Sequence, residues 1–395
     1  MNAGIFTKCL EFTIPAELKK AGLYPYFQKV ESAQGPEVTI DGSKKIVVCS
    51  NNYLGLANHP KVIEASCEAA RRYGTSGTGS RFLNGTTDLH EKVETKFAKF
   101  VGKESAILFT TGHHSNLGAL STLIGKGDFV ITDKLDHASM IDGCRLSQGE
   151  IVRYRHNNMG DLERHLQRYE DKNKLIAVDG VFSMEGDIVN LPEVVKLAKK
   201  YKAGVFVDDA HSLGVLGKNG KGTGEYFNLE NDIDVLMATA SKSLASVGGF
   251  IASSKAIVEY IKNSARSLIF TASLPPACVG AIDMALDLIV QEPQRRAKLF
   301  ENSNKMLREF KKLGFNTSNS SASPIIPITV GTDETAFKMW RRLFDEGVFA
   351  SPVITPAVPA GQAIIRTSYM ATHTDEHLDF MLDKFEKIGK KLGII

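Results

Sequence analysis

The sequence predicts an α/β protein built on a mainly parallel sheet, with a smaller α+β region behind it, and three observations carry that expectation. From Asn51 to about Gln291, short apolar runs alternate with amphipathic helical stretches, the pattern of strands joined by helical crossovers. Several of those runs end in acidic or hydroxylated residues and break into loops, as strands do where α/β proteins hold ligands. From Glu292 onward the pattern changes to long charged helices around one strand-like run.

Residues 1–50 read as an arm. TKCLEFTIPAELKKAGL has the spacing of an amphipathic helix, and EVTIDGSKKIVVCS reads as a hairpin turned at Asp41-Gly42. Residues 51–291 form the large α/β unit: SAILFT, DFVIT, KLIAVDG, AGVFVDD and DVLMATAS are its strands, and DLHEKVETKFAKF and LPEVVKLAKKYK are among its helices. Residues 292–395 form the α+β cap, from EPQRRAKLFENSNKMLREFKKLG through SPIIPITVG to DEHLDFMLDKFEKIGKKLG.

A chain of 395 residues, 43% hydrophobic and 24% charged, has ordinary globular composition and suffices for one large and one smaller domain. Its net charge of +3 is near balance and its Lys and Arg residues are scattered, which argues against nucleic acid as a partner. The five cysteines are odd in number and lack CxxC spacing, so no disulfide framework or metal site is signalled. The opening MNAGIFTKCLEF lacks the basic-then-apolar pattern of a leader. No stretch reaches the roughly 18 to 20 apolar residues of a membrane span, so a cytoplasmic protein without integral membrane association is expected.

Five segments carry candidate chemistry. GVFVDDAHSLG places Asp208 and His211 at the end of an apolar strand; an aspartate there could bind a metal, cap a helix or pair with the ring nitrogen of a pyridine cofactor. DVLMATASKSLASVGG runs from a buried strand through Thr239 and Ser241 to Lys242. Most lysines are solvated surface charge, but one in this setting would lose hydration, lowering its pKa and making the amine nucleophilic. Together, an acid for a pyridinium proton, hydroxyls for a phosphate and an amine for a Schiff base are what a pyridoxal-phosphate site needs. AILFTTGHHSNLGAL breaks at Thr111-Gly112 into a helix whose first N–H groups suit a phosphate. In TDKLDHASMIDG, His137 could lie flat against an aromatic cofactor or be satisfied by local hydrogen bonds. VDGVFSMEGD brings Ser183 to another strand end.

The order of these elements resembles the α-oxoamine synthases, a branch of the fold-type I pyridoxal-phosphate-dependent transferases. The resemblance runs from about Leu18 to the C-terminus, on SNNYLGLANHP, GSRFLNGTTDLHEKVE, TGHHSNLG, DHASMIDG, DGVFSMEGD, VDDAHSLGVLG, SKSLASVGG, FTASLPPA and RTSYMATHT. It implies a large, mainly parallel seven-stranded sheet with a smaller C-terminal α+β domain, and pyridoxal 5'-phosphate as cofactor. Lys242 would carry the cofactor as a Schiff base, Asp208 would pair with the pyridinium nitrogen, and His137 and Ala210 would flank the ring. His211 and Ser183 would sit by the phenolic oxygen, while Thr111, Gly112, His113, Thr239 and Ser241 would surround the phosphate. Lys242, His137, Asp208 and His211 would form the catalytic set. Thr271 or Ser273 would reach a neighbouring subunit's phosphate, implying a homodimer with shared active sites. Asn51 and Arg366 would bind the substrate carboxylate, the arginine by a two-pronged grip.

SRFLNGT, AHSLG, SKSLAS and MATHT are similar to the bacterial serine palmitoyltransferase branch. That implies a decarboxylative condensation of L-serine with palmitoyl-CoA to 3-ketodihydrosphingosine, CoA and CO2. Lys242 would remove the Cα proton, and His137 could also hydrogen-bond the carboxylate. The alternatives are the branches that use alanine or glycine, the 8-amino-7-oxononanoate synthases and glycine C-acetyltransferases, and, more remotely, a non-catalytic scaffold subunit, in which a Schiff-base lysine would be missing. The chain departs from the family pattern at His113, where an aromatic is usual, at Ala238 and Ala240 around Thr239, and at GTSGTGS.

Overall fold

The computed structural model describes residues 4–318 and 323–395. The first expectation it corrects is the single N-terminal helix. Two short helices, Thr7–Leu10 and Ile14–Lys20, stand in its place. Pro15 has no N–H to donate and is tolerated only in a helix's first turn, so it opens a second helix instead of continuing the first. The hairpin forms as expected: β1 (Glu37–Ile40) pairs antiparallel with β2 (Ser43–Val47). At its turn Asp41 and Gly42 have φ of +48° and +69°, the left-handed pair that such two-residue turns require.

The main sheet has seven strands: β3 (Ser105–Phe109), β4 (Phe129–Asp133), β5 (Glu150–Tyr154), β6 (Lys174–Asp179), β7 (Gly204–Asp208), β8 (Val235–Thr239) and β9 (Gly249–Ser253). Their spatial order is β3-β9-β8-β7-β6-β4-β5, with β8 through β5 parallel and β9 antiparallel to both its neighbours. Alternate residues enter two cores. Val205 and Val207, Leu236 and Ala238 face one, while Phe206, Val235 and Met237 face the other. With both faces covered, the strands read as continuous apolar runs, not as apolar-polar alternation.

β3 is an edge strand, and two side chains from the preceding segment meet its open side. Glu94 Oε1 accepts from Leu108 N at 2.8 Å, and Arg81 Nη1 donates to Leu108 O at 3.2 Å. The two groups also pair with each other at 2.7 Å, almost out of solvent. On the larger core's side, helix Pro276–Gln291 packs on helix Pro60–Tyr73 so closely that a Cβ at Gly280 would lie 2.5 Å from Ala65 O.

The C-terminal part supplies β10 (Ile325–Gly331), β11 (Val348–Phe349), β12 (Ser351–Val353) and β13 (Ala363–Ser368). β10, β13 and β12 form an antiparallel sheet beside helices Gln294–Leu313, Asp333–Asp345 and Asp375–Leu392. β11 instead runs parallel to β2, so the opening hairpin is tied to C-terminal elements. Among the described residues, no helix is long and apolar enough to cross a membrane.

Candidate active site

A cavity of about 350 Å³ opens at the carboxyl ends of β6, β7 and β8, within the size range of small-molecule sites. Lys242, Asp208, His137, His211, Ser183 and Ala210 all line it. So do Thr111, Gly112, His113, Thr239 and Ser241. Segments far apart in sequence meet here because parallel strands end on one side of the sheet.

Asp208, the last residue of β7, is buried and held on both oxygens: Asn116 Nδ2 donates to Oδ2 at 2.7 Å, and Ala210 N to Oδ1 at 2.9 Å. The second Asn116 donor goes to Ser139 Oγ at 2.9 Å, and that hydroxyl lies 2.7 Å from His137 Nδ1. Ser139 N also donates to Nδ1, at 3.2 Å. Nδ1 therefore accepts, and in the neutral ring the proton sits on Nε2. Burial lowers the His137 pKa against the attraction of Asp208, which keeps the ring neutral.

Lys242 follows β8 in a tight turn and is half-buried. Loss of hydration lowers its pKa to about 8; Asp208 and Asp179 oppose that shift and Arg366 adds to it. His211 is pushed well below its ordinary value by burial and then by the positive charges of Lys242 and Arg366. Its Nδ1 lies 2.7 Å from the hydroxyl of Tyr53, which also reaches Asn51 Oδ1 at 3.3 Å.

The phosphate end is built from a helix N-terminus and two hydroxyls. Thr111 caps helix Gly112–Leu123 by accepting from His114 N at 3.1 Å, and the N–H groups of Gly112 and His113 have no intrahelical acceptor. Thr239 Oγ1 and Ser241 Oγ stand 2.9 Å apart beside it, and a Cβ at Gly112 would fall 2.8 Å from Thr239 Oγ1. An anion cradle that leaves no room for a side chain at Gly112, a buried acid and a low-pKa amine together fit pyridoxal phosphate.

Asn51 and Arg366 do not line the cavity themselves, but Arg366 bonds to Ser183, which does. Arg366, on β13, donates from Nε to Ser183 O at 2.6 Å and from Nη2 to Asn51 Oδ1 at 3.1 Å. Thr271 and Ser273 do not line this chain's cavity; Ser273 is buried and donates its N–H to Gly79 O at 2.8 Å. The sequence reading missed Asn116, Ser139 and Asp179 in the lining, and Tyr53 on His211. Asp179 carried a signal, since it ends β6 as Asp208 ends β7 and the two are register partners. Burial first, then repulsion from Asp208 and Asp136, raises its pKa well above the usual range.

Residues 43–385 match the family model described as aminotransferase class I and II. Over 97% of this chain and 96% of the relative, the sequence is 47% identical to the serine palmitoyltransferase of Sphingobacterium spiritivorum. It is 44% identical to the 8-amino-7-oxononanoate synthase of Thermoanaerobacter pseudethanolicus, over 96% of both. Among solved structures, Sphingomonas wittichii serine palmitoyltransferase superposes with a TM-score of 0.96 at 37% identity over the whole of both chains. Another, described as SPT with PLP internal aldimine, does so with the same score and identity. The chain thus belongs to the aminotransferase class I and II family, within its α-oxoamine synthase branch.

Proposed function

We propose that this chain is a pyridoxal-phosphate-dependent acyltransferase that condenses L-serine with an acyl-CoA, palmitoyl-CoA favoured, releasing CoA and CO2 and forming 3-ketodihydrosphingosine. The observation that carries this reading is the meeting, in one cavity, of the Lys242 amine, buried Asp208 and the cradle of Gly112, Thr239 and Ser241; burial brings the amine's pKa down to about 8 against the pull of Asp208. The choice of serine is supported by relatives 44–48% identical and named serine palmitoyltransferases.

Bound at Lys242, pyridoxal phosphate supplies an electron sink that makes the Cα–H of an attached amino acid acidic. The chain's residues do the rest. Asp208, oriented by Asn116 and Ala210, holds the proton on the ring nitrogen. Thr239, Ser241 and the N–H groups of Gly112 and His113 anchor the phosphate. Lys242 is partly unprotonated at neutral pH, as a base that takes the Cα proton and later returns it should be. His137, locked with its proton on Nε2, offers a neutral donor to the substrate. Arg366 and Asn51 receive the amino acid's carboxylate. The Cα carbon would then bond to the thioester carbonyl carbon as the C–S bond breaks and CoA leaves as its thiolate; loss of the carboxylate as CO2 would leave an electron pair at Cα that takes back the proton held by Lys242.

Ser273 and Thr271, lying outside this cavity, suit a role toward a second copy's phosphate, in a homodimer with shared sites. A cytoplasmic location completes the proposal. A second reading, an 8-amino-7-oxononanoate synthase using alanine, is favoured by the relative at 44% identity. Titration of the purified holoenzyme with L-serine, glycine and L-alanine, followed in the visible band, separates the two. Tightest binding of L-serine, with palmitoyl-CoA turned over to the keto product, is expected; preference for L-alanine overturns the serine reading.

A further inference from the structure

The segment after β6 leaves the sheet and returns as a short loop, closed by Phe182 N to Asp187 O at 3.0 Å and Gly186 N to Phe182 O at 2.9 Å. It carries Ser183 into the cavity wall. Its tip is braced from the C-terminal part, where Ser323 Oγ donates to Gly186 O at 2.6 Å. Its other side is gripped by His156, which lies just beyond β5.

His156 stands between two carboxylates. Nδ1 lies 3.0 Å from Asp133 Oδ1, at the end of β4, and Nε2 lies 3.0 Å from Asp187 Oδ2, on the loop. With an acceptor on each nitrogen, both must donate, so the ring is an imidazolium. Burial alone would discharge it, but the hydrogen bonds to Asp133 and Asp187 outweigh burial and raise its pKa to about 10. The ring also meets Phe182 edge-on, centroids 4.5 Å apart. Asn157 extends the grip, its N–H donating to Asp133 Oδ2 at 2.6 Å and its amide to Ile188 O at 3.3 Å. Toward the substrate side, the loop's Ser183 carbonyl takes Arg366 Nε.

We propose that His156 is a positioning residue for the amino-acid substrate: by clamping Asp187 to Asp133 it fixes the Ser183 carbonyl, and through it the orientation of the Arg366 guanidinium. The inference rests on the reading of Arg366 as the carboxylate binder. A guanidinium is a rigid fork, so tilting its Nε anchor swings the donors left for substrate and degrades a two-pronged grip more than a single contact. His156 neither lines the cavity nor reaches the reacting atoms.

The test uses the holoenzyme and two variants, His156→Gln and the near-isosteric Asp187→Asn. Dissociation constants for L-serine and for L-serinamide, which keeps the amine and loses the carboxylate, are read from the visible band. Binding of L-serine is expected to weaken about 3- to 30-fold in both variants, with L-serinamide unchanged. Equal weakening of both ligands, or of neither, overturns the inference. If the wild type already binds serine and serinamide alike, the carboxylate reading of Arg366 falls and the inference falls with it; if the wild type prefers serine and both variants keep that preference undiminished, the inference falls alone.

Discussion

His211 and His156 are both largely shielded from solvent near the ends of the same sheet, yet one is held neutral and the other charged. Burial lowers both. His211 faces the positive groups Lys242 and Arg366 and offers its Nδ1 to a phenol, whereas His156 has a carboxylate on each nitrogen. Desolvation sets the size of the perturbation, and the neighbours set its sign. The contrast divides the region by task. Around the cavity, Lys242, His137 and His211 are kept readily unprotonated for proton traffic; outside it, a permanent ion pair holds the wall in place.

Removing Lys242, whose charge adds to the depression that burial imposes on His211, gives the largest effect. Lys242→Ala is expected to abolish the cofactor's visible band and to cut turnover by on the order of 10³-fold or more, measured as product per holoenzyme equivalent. Residual turnover within tenfold of wild type would show that another group carries the proton.

Opposite pH slopes of stability follow next. The folded-state pKa of His156, about 10, lies above its ordinary 6.5, so its stabilisation is complete below pH 6.5 and fades as pH rises through 10. The deficit of His156→Gln, on the order of 3 kcal/mol at pH 6, should therefore shrink toward pH 10. His211 has the reverse shift: the unfolded chain gains a proton below 6.5 that the folded one resists, so this residue costs stability as pH falls. His211→Asn should lose less stability than wild type on going from pH 7 to pH 5. Thermal midpoints across pH 5–10 read both; parallel slopes for the two variants would erase the contrast.

The smallest effect sharpens the neutral side alone. Tyr53→Phe removes the hydroxyl 2.7 Å from His211 Nδ1, and a change in turnover of about 2- to 10-fold is expected from one hydrogen bond, with the cofactor band retained.

Much of this could be read from the sequence, and the reasons are local. Buried parallel strands such as DVLMAT are uninterrupted apolar runs, and Lys242 and Asp208 stand at their ends, so the site's two poles announce themselves. β9 was missed because GGFIAS opens on a glycine pair directly after the Lys242 turn, and its antiparallel place between β3 and β8 is decided by pairing across the sheet. Tyr53, Asn116 and His156 escaped for another reason. Each is chemically ordinary and acquires a role only through a partner distant in the chain, as His211 is for Tyr53 and Asp208 for Asn116. The N-terminal helix failed at Pro15, where spacing was weighed above the missing N–H.

The ion pair of Arg81 and Glu94 at the margin of β3 has a consequence beyond this chain's own fold. An unpaired strand margin is a template on which another polypeptide can add itself, the first step toward aggregation. At Leu108 both the donor and the acceptor are already taken by side chains of the same chain, so an incoming strand would have to break a shielded ion pair before gaining its first ladder bond there. At the opposite margin, β5 places Glu150 and Arg153 in solvent, where charge opposes the same event. The sheet is thus defended at both flanks by side chains the chemistry does not use, which leaves the carboxyl ends of its strands free to be shaped by catalysis.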